Sequence, residues 1–300
     1  MPSHIINYET DSKFRTLIST ILSKYGQLNS KTIETILKSD YDGKTGLKLY
    51  GQGFTHKSIH EDENYEYYEW IGDSTANNCI CWYLTKRFPQ LKQPKAVKIL
   101  ARLKANLGSK HTFEKLSEKI GFWDFISSGM DEMKKGGEVI VYEVRQRKKK
   151  DLLEDTLESF IGVTNTILDH IYGDGVGFKI CYNIIKNLYD EIDISLLYTD
   201  LWDPITRLKE IFDMYCDRGL GGKFSKKNIE ATETENPNDE YSTWNVTITY
   251  TDAGKKYVLG SGSHAKKKEA EQMAAKSSIK ILNDIGYIKE EDPIYKQIKK

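Results

Sequence analysis

Residues 65–74 read YEYYEWIGDS and residues 154–162 read EDTLESFIG. Both stretches lie in long segments that lack proline and carry apolar residues at helical spacing. The first segment, residues 64–88, has apolar residues on more than one face, which predicts a central and mostly buried helix. The second segment runs from about Asp151 to Tyr172, and Gly173 ends it. The two stretches therefore lie on two helices of a mostly helical domain.

Acidic residues recur on one face of each predicted helix. They are spaced i, i+3 and i+7 in the first (Glu66, Glu69 and Asp73) and i, i+3 in the second (Asp155 and Glu158). Unpaired acids are costly to bury, and like charges on one face repel each other. Two such faces in one domain need a cation between them, and Mg²⁺ prefers oxygen ligands. An acidic i, i+3 pair is also typical of a solvated face, so for either set alone that interpretation stays open.

Gly72 lies inside the first predicted helix. A glycine in a helix costs roughly 1 kcal/mol relative to alanine. The close approach of another element to the backbone, such as a facing helix, explains this glycine best. We therefore predict a close contact at Gly72.

Length and composition indicate two globular domains. The chain has 300 residues, and a typical domain has about 150. Lys plus Arg and Asp plus Glu both total 44, which argues against a uniformly basic nucleic-acid binder. The four cysteines lack a CxxC pair, which argues against a structural zinc site. With no apolar run near the roughly 20 residues of a membrane helix and no signal pattern, we expect no membrane association and a cytoplasmic location, and a nuclear location stays open.

After Pro204 the pattern changes to mixed helices and strands. Residues 205–216 predict an amphipathic helix, residues 241–250 and 256–259 predict strands, and residues 265–282 predict a second helix. We predict the order αβββα over about 80 residues, with two of its three strands placed at these positions. Three lysines in the first turn of the last helix add to the positive end of its dipole, where phosphate binds well. On their own these lysines would suggest a solvated basic turn, and the surrounding αβββα pattern favours phosphate contact.

Four motifs resemble the ribonuclease III family, in the order that the family has them. Residues 65–74 resemble its signature, roughly N-E-R-L-E-F-L-G-D-S, with Glu, Glu, Gly, Asp and Ser in register. Residues 154–162 resemble its second motif, A-D-x-x-E-A-L-I-G. Residues 54–58 (FTHKS) resemble L-T-H-R-S, and residues 102–107 (RLKANL) resemble R-L-R-A-x-L. The resemblance spans about 120 residues.

The resemblance implies roles for the acidic residues. Glu69, Asp73, Asp155 and Glu158 stand at the positions of the family's catalytic, metal-binding carboxylates, and Glu66 stands at a supporting position. The implied cofactor is Mg²⁺, with Mn²⁺ as a substitute and no small-molecule cofactor. The implied reaction is hydrolysis of double-stranded RNA by a metal-activated water, which leaves 5′-phosphate and 3′-hydroxyl ends with short 3′ overhangs. The implied assembly is a homodimer in which Trp70 inserts into the partner subunit.

The second half resembles the double-stranded-RNA-binding domain that follows the nuclease in this family. The matching segments are residues 203–210 (DPITRLKE) and residues 266–275. The predicted RNA contacts lie on the first helix and at the start of the last helix: Thr206, Glu210, Lys266, Lys267 and Lys268. Arg145 and Arg147 belong to the basic run RQRKKK, residues 145–150. That run predicts phosphate contact near the cleavage centre, a solvated arm or a nuclear-localisation signal.

These observations predict an all-α ribonuclease III endonuclease domain followed by a small α+β (αβββα) RNA-binding domain. The predicted segments are an N-terminal helical extension (1–50), the nuclease domain (51–190), a linker (191–202), the RNA-binding domain (203–284) and a C-terminal tail (285–300). The segment Gly137–Lys150 is either a hairpin arm or a loop. The alternative function is a catalytically silent protein that sequesters duplex RNA. An unrelated helical metal phosphohydrolase would need His-Asp metal pairs, and the six histidines are scattered.

Overall fold

A computed structural model describes most of the chain, in two compact units divided between Ile194 and Ser195. The described residues are 6–129, 142–217, 220, 222–234, 243–252, 254–290 and 293–298. The first residues of the segment Gly137–Lys150, up to position 141, therefore lie outside the described residues. In the described ranges no helix is both long enough and apolar enough to cross a membrane.

The first unit is helical, as predicted. Its helices are α1 (Ser12–Lys24), α2 (Ser30–Lys38), α3 (Gly46–Gly53), α4 (Glu66–Arg87), α5 (Val97–Leu107), α6 (Lys110–Lys119), α7 (Tyr142–Tyr172) and α8 (Val176–Asp190). A short antiparallel hairpin joins α2 to α3, and each of its strands, β1 (Asp40–Tyr41) and β2 (Lys44–Thr45), has two residues. Helix α4 packs along α7, and α8 packs against both. The two acidic stretches therefore lie on the two central helices.

Two glycines allow α4 and α7 to cross at close range. A Cβ atom built on Gly72 would overlap the carbonyl oxygen of Glu158, and one built on Gly162 would overlap the carbonyl oxygen of Tyr68. The same Cβ on Gly72 would lie 2.9 Å from the backbone nitrogen of Gly162. The close contact predicted at Gly72 is confirmed. A side chain at either glycine would push the helices apart, and such overpacking costs about 1–3 kcal/mol or more.

The N-terminal segment packs into the same unit as the nuclease motifs. The Tyr8 hydroxyl lies 2.7 Å from Ser127 Oγ and donates to the carbonyl oxygen of Phe125 at 2.9 Å. At the other end of α1, Asn187 Nδ2 on α8 donates to the carbonyl oxygen of Tyr25 at 2.7 Å. These hydrogen bonds hold α1 against the nuclease core.

Helix α7 begins nine residues before the predicted start at Asp151. Residues 142–150 form its first turns and are neither a hairpin arm nor a loop. This stretch has no glycine or proline and consists mainly of Arg, Lys, Gln and Glu, which are good helix formers. The alternating valines favour a strand, but helix propensity prevails from Tyr142 onward.

The second unit has the predicted αβββα core. It contains α9 (Tyr198–Leu201), α10 (Pro204–Tyr215), β3 (Ile229–Thr234), β4 (Thr243–Asp252), β5 (Lys255–His264), α11 (Lys267–Asp284) and α12 (Pro293–Ile298). The strands form an antiparallel sheet in the order β3-β4-β5. A Cβ on Gly260 or Gly262 of β5 would lie 2.5 Å from a backbone nitrogen of α11. These glycines and the buried Ala270 and Ala274 let α11 pack tightly on the sheet.

Parts of the predicted linker and tail pack against each other in the second unit. The rings of Tyr198 and Tyr295 meet edge to face with centroids 4.9 Å apart. Trp202 Nε1 donates to the Tyr295 hydroxyl at 2.6 Å. In the predicted linker, residues 191 and 192 close the end of α8, residues 193–197 have no regular secondary structure, and α9 follows.

Candidate active site

The crossing of α4 and α7 brings the predicted carboxylates to one place. Glu69 and Asp73 come from α4, and Asp155 and Glu158 come from α7. Glu158 is buried, with 9% of its surface exposed, and its own carbonyl oxygen lies against Gly72. Glu69 and Asp155 are half-buried, and Asp73 is exposed. Asp73 Oδ1 accepts a hydrogen bond from Asn77 Nδ2 at 2.6 Å.

Burial and the charges of neighbouring acids make Glu69, Asp155 and Glu158 hard to ionise. Burial, followed by the charge of Asp155 and other acids, raises the pKa of Glu69 to about 7. Burial raises the pKa of Asp155 to about 6. Burial, followed by the charges of Asp73, Glu154, Glu69 and Asp155, raises the pKa of Glu158 to about 9. A cation bound next to these carboxylates would therefore stabilise their charged forms and lower their pKa values.

The acids around these four are neutralised by lysines. Lys110 Nζ lies 2.5 Å from Asp151 Oδ1 and 2.7 Å from Glu154 Oε2. Lys57 Nζ lies 2.7 Å from Glu66 Oε1. In contrast, Glu69, Asp73, Asp155 and Glu158 have no salt-bridge partner among the described residues. This difference separates Glu66 from the four predicted ligands and suits its predicted supporting position.

The donor chemistry of the four carboxylates fits a hard divalent cation, because all of their ligand atoms are oxygens. Within the described ranges, no three His, Cys, Asp or Glu side chains already surround a single point closely enough to hold a metal ion. Binding one ion with three or more of these carboxylates would therefore require side-chain rotation.

Sequence reasoning missed Tyr65. Its hydroxyl donates to Asp155 Oδ2 at 2.8 Å, and only 5% of the residue is exposed. Burial and the charge of Asp155 raise the pKa of Tyr65 far above its ordinary value, so the hydroxyl remains a donor. The hydrogen bond in turn opposes the rise in the pKa of Asp155. The only available signal was that Tyr65 stands where the family pattern has Asn.

A small cavity of about 180 Å³ adjoins this hydrogen bond. Its lining includes His56, Ser58, Tyr65, Lys148 and Asp155. His56 Nδ1 accepts from the backbone N–H of Ser58 at 3.1 Å and lies 2.7 Å from Ser58 Oγ. The FTHKS motif therefore forms one wall of the cavity next to Asp155.

The three predicted phosphate-binding lysines are exposed at the start of α11. The backbone N–H of Lys266 donates to His264 Nδ1 at 2.9 Å. Lys267 Nζ lies 5.0 Å from the centroid of the Trp244 ring. Interactions with the sheet thus orient the turn that carries Lys266, Lys267 and Lys268.

The predicted contacts on α10 differ in their availability. Thr206 is partly exposed, and its backbone N–H donates to Asp203 Oδ1 at 2.9 Å. Glu210 Oε2 lies 2.5 Å from Lys289 Nζ in an ion pair. Arg145 and Arg147 lie in the first turns of α7, and their side chains fall outside the described part of the structure.

Helix α4 is less buried than its sequence pattern predicts. Trp70 is 72% exposed, and Tyr67 and Trp82 are also exposed on this helix. Apolar residues on more than one face of a helix favour burial, but periodicity does not tell whether the surface that buries them belongs to the same chain or to a partner. In the single chain the rings of Tyr67 and Trp70, one turn apart, remain in solvent, and exposed large apolar side chains that lie together commonly mark interaction sites.

Both units match known protein families. The family model described as ribonuclease III domain matches residues 66–165, and the double-stranded RNA binding motif matches residues 204–282. A protein of invertebrate iridescent virus 6 with a provisional ribonuclease 3 name is 33% identical over 257 residues, covering 79% of this chain and 78% of that protein. The chain belongs to the ribonuclease III family of endoribonucleases.

Other similar proteins are viral and bacterial. A frog virus 3 protein with a provisional ribonuclease 3 name is 36% identical over 245 residues, and the match covers 81% of this chain but only 58% of that relative. The ribonuclease 3 of Ligilactobacillus salivarius is 25% identical over 259 residues, covering 83% of this chain and 97% of that protein. The solved nuclease domain of ribonuclease III from Campylobacter jejuni is 25% identical and covers 55% of this chain and 99% of its own, with a TM-score of 0.38.

The raised pKa of Glu158 predicts how the stability of this ribonuclease III family member depends on pH when no metal is present. Below pH 4.5, the pKa of Glu158 in the unfolded chain, the side chain is protonated in both the folded and the unfolded state and does not lower stability. Between pH 4.5 and about 9 the folded protein keeps Glu158 protonated while the unfolded chain ionises it, so folding must take up a proton and stability falls as pH rises. We expect Glu158→Gln to raise the melting temperature at pH 8 in EDTA by at least about 2–4 °C, the shift that a change of about 1 kcal/mol gives in a protein of this size.

The measurement is calorimetry of both proteins at pH 5 and pH 8. Glu34→Gln is the control, because Glu34 is an exposed acid paired with Arg15 and Lys38. An equal shift in melting temperature at both pH values would contradict the assigned burial of the Glu158 charge.

Proposed function

We propose that this protein is a divalent-metal-dependent endoribonuclease that cuts double-stranded RNA and leaves 5′-phosphate and 3′-hydroxyl ends with short 3′ overhangs. The observation that carries this proposal is the meeting of four acidic side chains, without cationic partners among the described residues, at the α4–α7 crossing. Membership of the ribonuclease III family and the double-stranded RNA binding motif support the substrate class.

Glu69, Asp73, Asp155 and Glu158 are the proposed ligands for Mg²⁺, or for Mn²⁺ in its place. When bound, the ion supplies a Lewis acid for the phosphodiester and a water of lowered pKa. The protein contributes two crossing helices that carry the ligands, and the surrounding core shields Glu158 from bulk water. Glu66, held by Lys57, lies one turn before Glu69 and supports this face of α4.

The energetic cost of the site argues against a catalytically silent RNA-binding protein. Four carboxylates kept close together without lysine or arginine partners among the described residues destabilise the fold. Nearby acids such as Asp151 and Glu154 avoid this cost through Lys110. Duplex binding by itself needs no such cluster, whereas metal-assisted hydrolysis does.

In the second unit, Lys266, Lys267 and Lys268 are the proposed phosphate contacts. A-form RNA is recognised by its shape, through phosphates and 2′-hydroxyls, and exposed lysines at a helix N-terminus suit its major-groove phosphates. Thr206 is the proposed minor-groove contact on α10, and Glu210 would join it only by releasing Lys289. Arg145 and Arg147 precede the site along α7 and are proposed as additional phosphate contacts.

Cleavage of both strands of a duplex needs two sites, and each nuclease unit contributes one cluster of four carboxylates. We propose a homodimer in which the exposed Trp70 packs into the partner subunit. The exposed rings of Tyr67 and Trp70, one turn apart on α4, are the feature that supports this assembly.

The catalytic assignment is tested by cleavage of a long RNA duplex with and without Mg²⁺. We expect wild type to cut only with the metal, and Asp73→Asn and Glu158→Gln to lose at least about 100-fold in rate, because each removes a ligand charge. Both variants should still bind the duplex in a gel-shift assay. Glu34→Gln should cut like wild type. If wild type binds the duplex but leaves it intact with Mg²⁺ or Mn²⁺, the silent RNA-binding alternative is correct.

The phosphate contacts are tested by duplex binding at several salt concentrations in EDTA. We expect Lys267→Ala with Lys268→Ala to weaken binding about equally for unrelated duplex sequences. The slope of log affinity against log salt concentration should fall by about one for each of the two lysines. Lys280→Ala with Lys276→Ala, two lysines further along α11, serve as the control pair. If both pairs reduce the salt dependence equally, phosphate binding is not specific to the start of α11.

The dimer is tested by sedimentation velocity of Trp70→Ala at low protein concentration. We expect the variant to shift towards monomer and to lose double-strand cleavage, because the aromatic ring no longer packs into the partner subunit. Trp82→Ala, which removes another exposed tryptophan of α4, controls for general surface effects. An unchanged dimer of Trp70→Ala would remove Trp70 from its proposed role.

A further inference from the structure

Tyr65 is an unusual residue for the place it occupies. It stands at the N-cap of α4, where Ser, Thr, Asp or Asn normally accept a hydrogen bond from the first turn. Tyr65 makes no side-chain cap. Its backbone is fixed instead, because its N–H donates to the carbonyl oxygen of Thr55 at 3.0 Å. The helix start therefore gains nothing from the tyrosine side chain.

The side chain instead spans the gap between the two acidic helices. The Tyr65 hydroxyl donates to Asp155 Oδ2 at 2.8 Å, across 90 positions of sequence. The ring is buried and lies 5.7 Å from the His56 ring, between centroids. A hydroxyl held in this way restrains the rotation of the carboxylate that it binds. Asn has too short a side chain to fill the same space, so the pattern N-E-R-L-E-F-L-G-D-S does not predict this contact.

We propose that Tyr65 is the positioning residue for Asp155. Its hydroxyl holds Oδ2 in place, so that Oδ1 is available to bind a divalent cation. This inference rests on the proposed function, in which Asp155 is a metal ligand. Hydrogen-bond partners of metal ligands fix ligand orientation, and their loss typically weakens metal affinity by about 10–100-fold. In a site whose carboxylates must rotate onto the ion, a ligand that is already oriented reduces the cost of binding.

The test is direct Mn²⁺ binding, followed by the electron paramagnetic resonance signal of free Mn²⁺. We expect Tyr65→Phe, which removes only the hydroxyl, to weaken Mn²⁺ binding by about 10–100-fold. Tyr83→Phe is a matched control, because the Tyr83 hydroxyl donates to another carboxylate, Asp190 Oδ1, at 3.2 Å. It should bind Mn²⁺ like wild type. Asp155→Asn should lose at least as much affinity as Tyr65→Phe.

A second readout separates positioning from a purely structural effect. With saturating duplex RNA, the Tyr65→Phe rate should recover towards the wild-type kcat as Mn²⁺ is raised, with the half-saturating concentration shifted by the same factor as binding. Wild-type Mn²⁺ affinity in Tyr65→Phe, with weak binding in Asp155→Asn, would overturn the positioning role and leave the proposed function intact. Wild-type affinity in both variants would overturn the metal assignment of Asp155 itself. Loss of kcat that added Mn²⁺ does not restore would also overturn the positioning role.

Discussion

The close crossing of α4 and α7 at Gly72 and Gly162 is the constraint on which the rest of the nuclease unit depends. Because neither residue has a Cβ atom, the two backbones can approach closely. A carbonyl oxygen of each helix lies where a Cβ atom on the glycine of the other helix would be. The four acidic residues lie within about two helical turns of these glycines. The distance between the two acidic faces is thus set by backbone packing and not by flexible loops, which is the rigidity that a catalytic site needs.

The charges of this site are arranged against the ordinary preference of a folded protein. Lysines cover the outer acids of the cluster, with Lys57 on Glu66 and Lys110 on Asp151 and Glu154. The inner four acids have no such partner among the described residues, and burial makes Glu158 the hardest of them to ionise. Unfavourable arrangements of this kind are characteristic of functional sites, where the groups needed for the reaction lower the stability of the fold.

Much of this arrangement is predictable from sequence because it depends on local spacing. Helical periodicity predicts α4, the i, i+3 spacing places Asp155 with Glu158, and an isolated glycine in a helix indicates a close neighbour at Gly72. Interactions between residues far apart in the sequence cannot be predicted from local spacing. The Tyr65–Asp155 hydrogen bond and the packing of Tyr198 on Tyr295 join positions about 90 or more apart.

Two features of the helices also escape the sequence pattern, for different reasons. The early start of α7 is hidden because alternating valines favour a strand just where helix-forming residues begin. The exposure of Trp70 is hidden because periodicity does not distinguish burial within a chain from burial between chains.

The most direct test of the central claim is a crystal structure of the protein with duplex RNA and Mn²⁺, in which anomalous scattering locates the ion. We expect an anomalous peak between α4 and α7, with carboxylate oxygens of Asp155 and Glu158 from one helix and of Glu69 or Asp73 from the other within coordination distance. An ion bound elsewhere, or an ordered duplex at the α4–α7 crossing with no ion at this position, would contradict the assignment of the four carboxylates as the metal site.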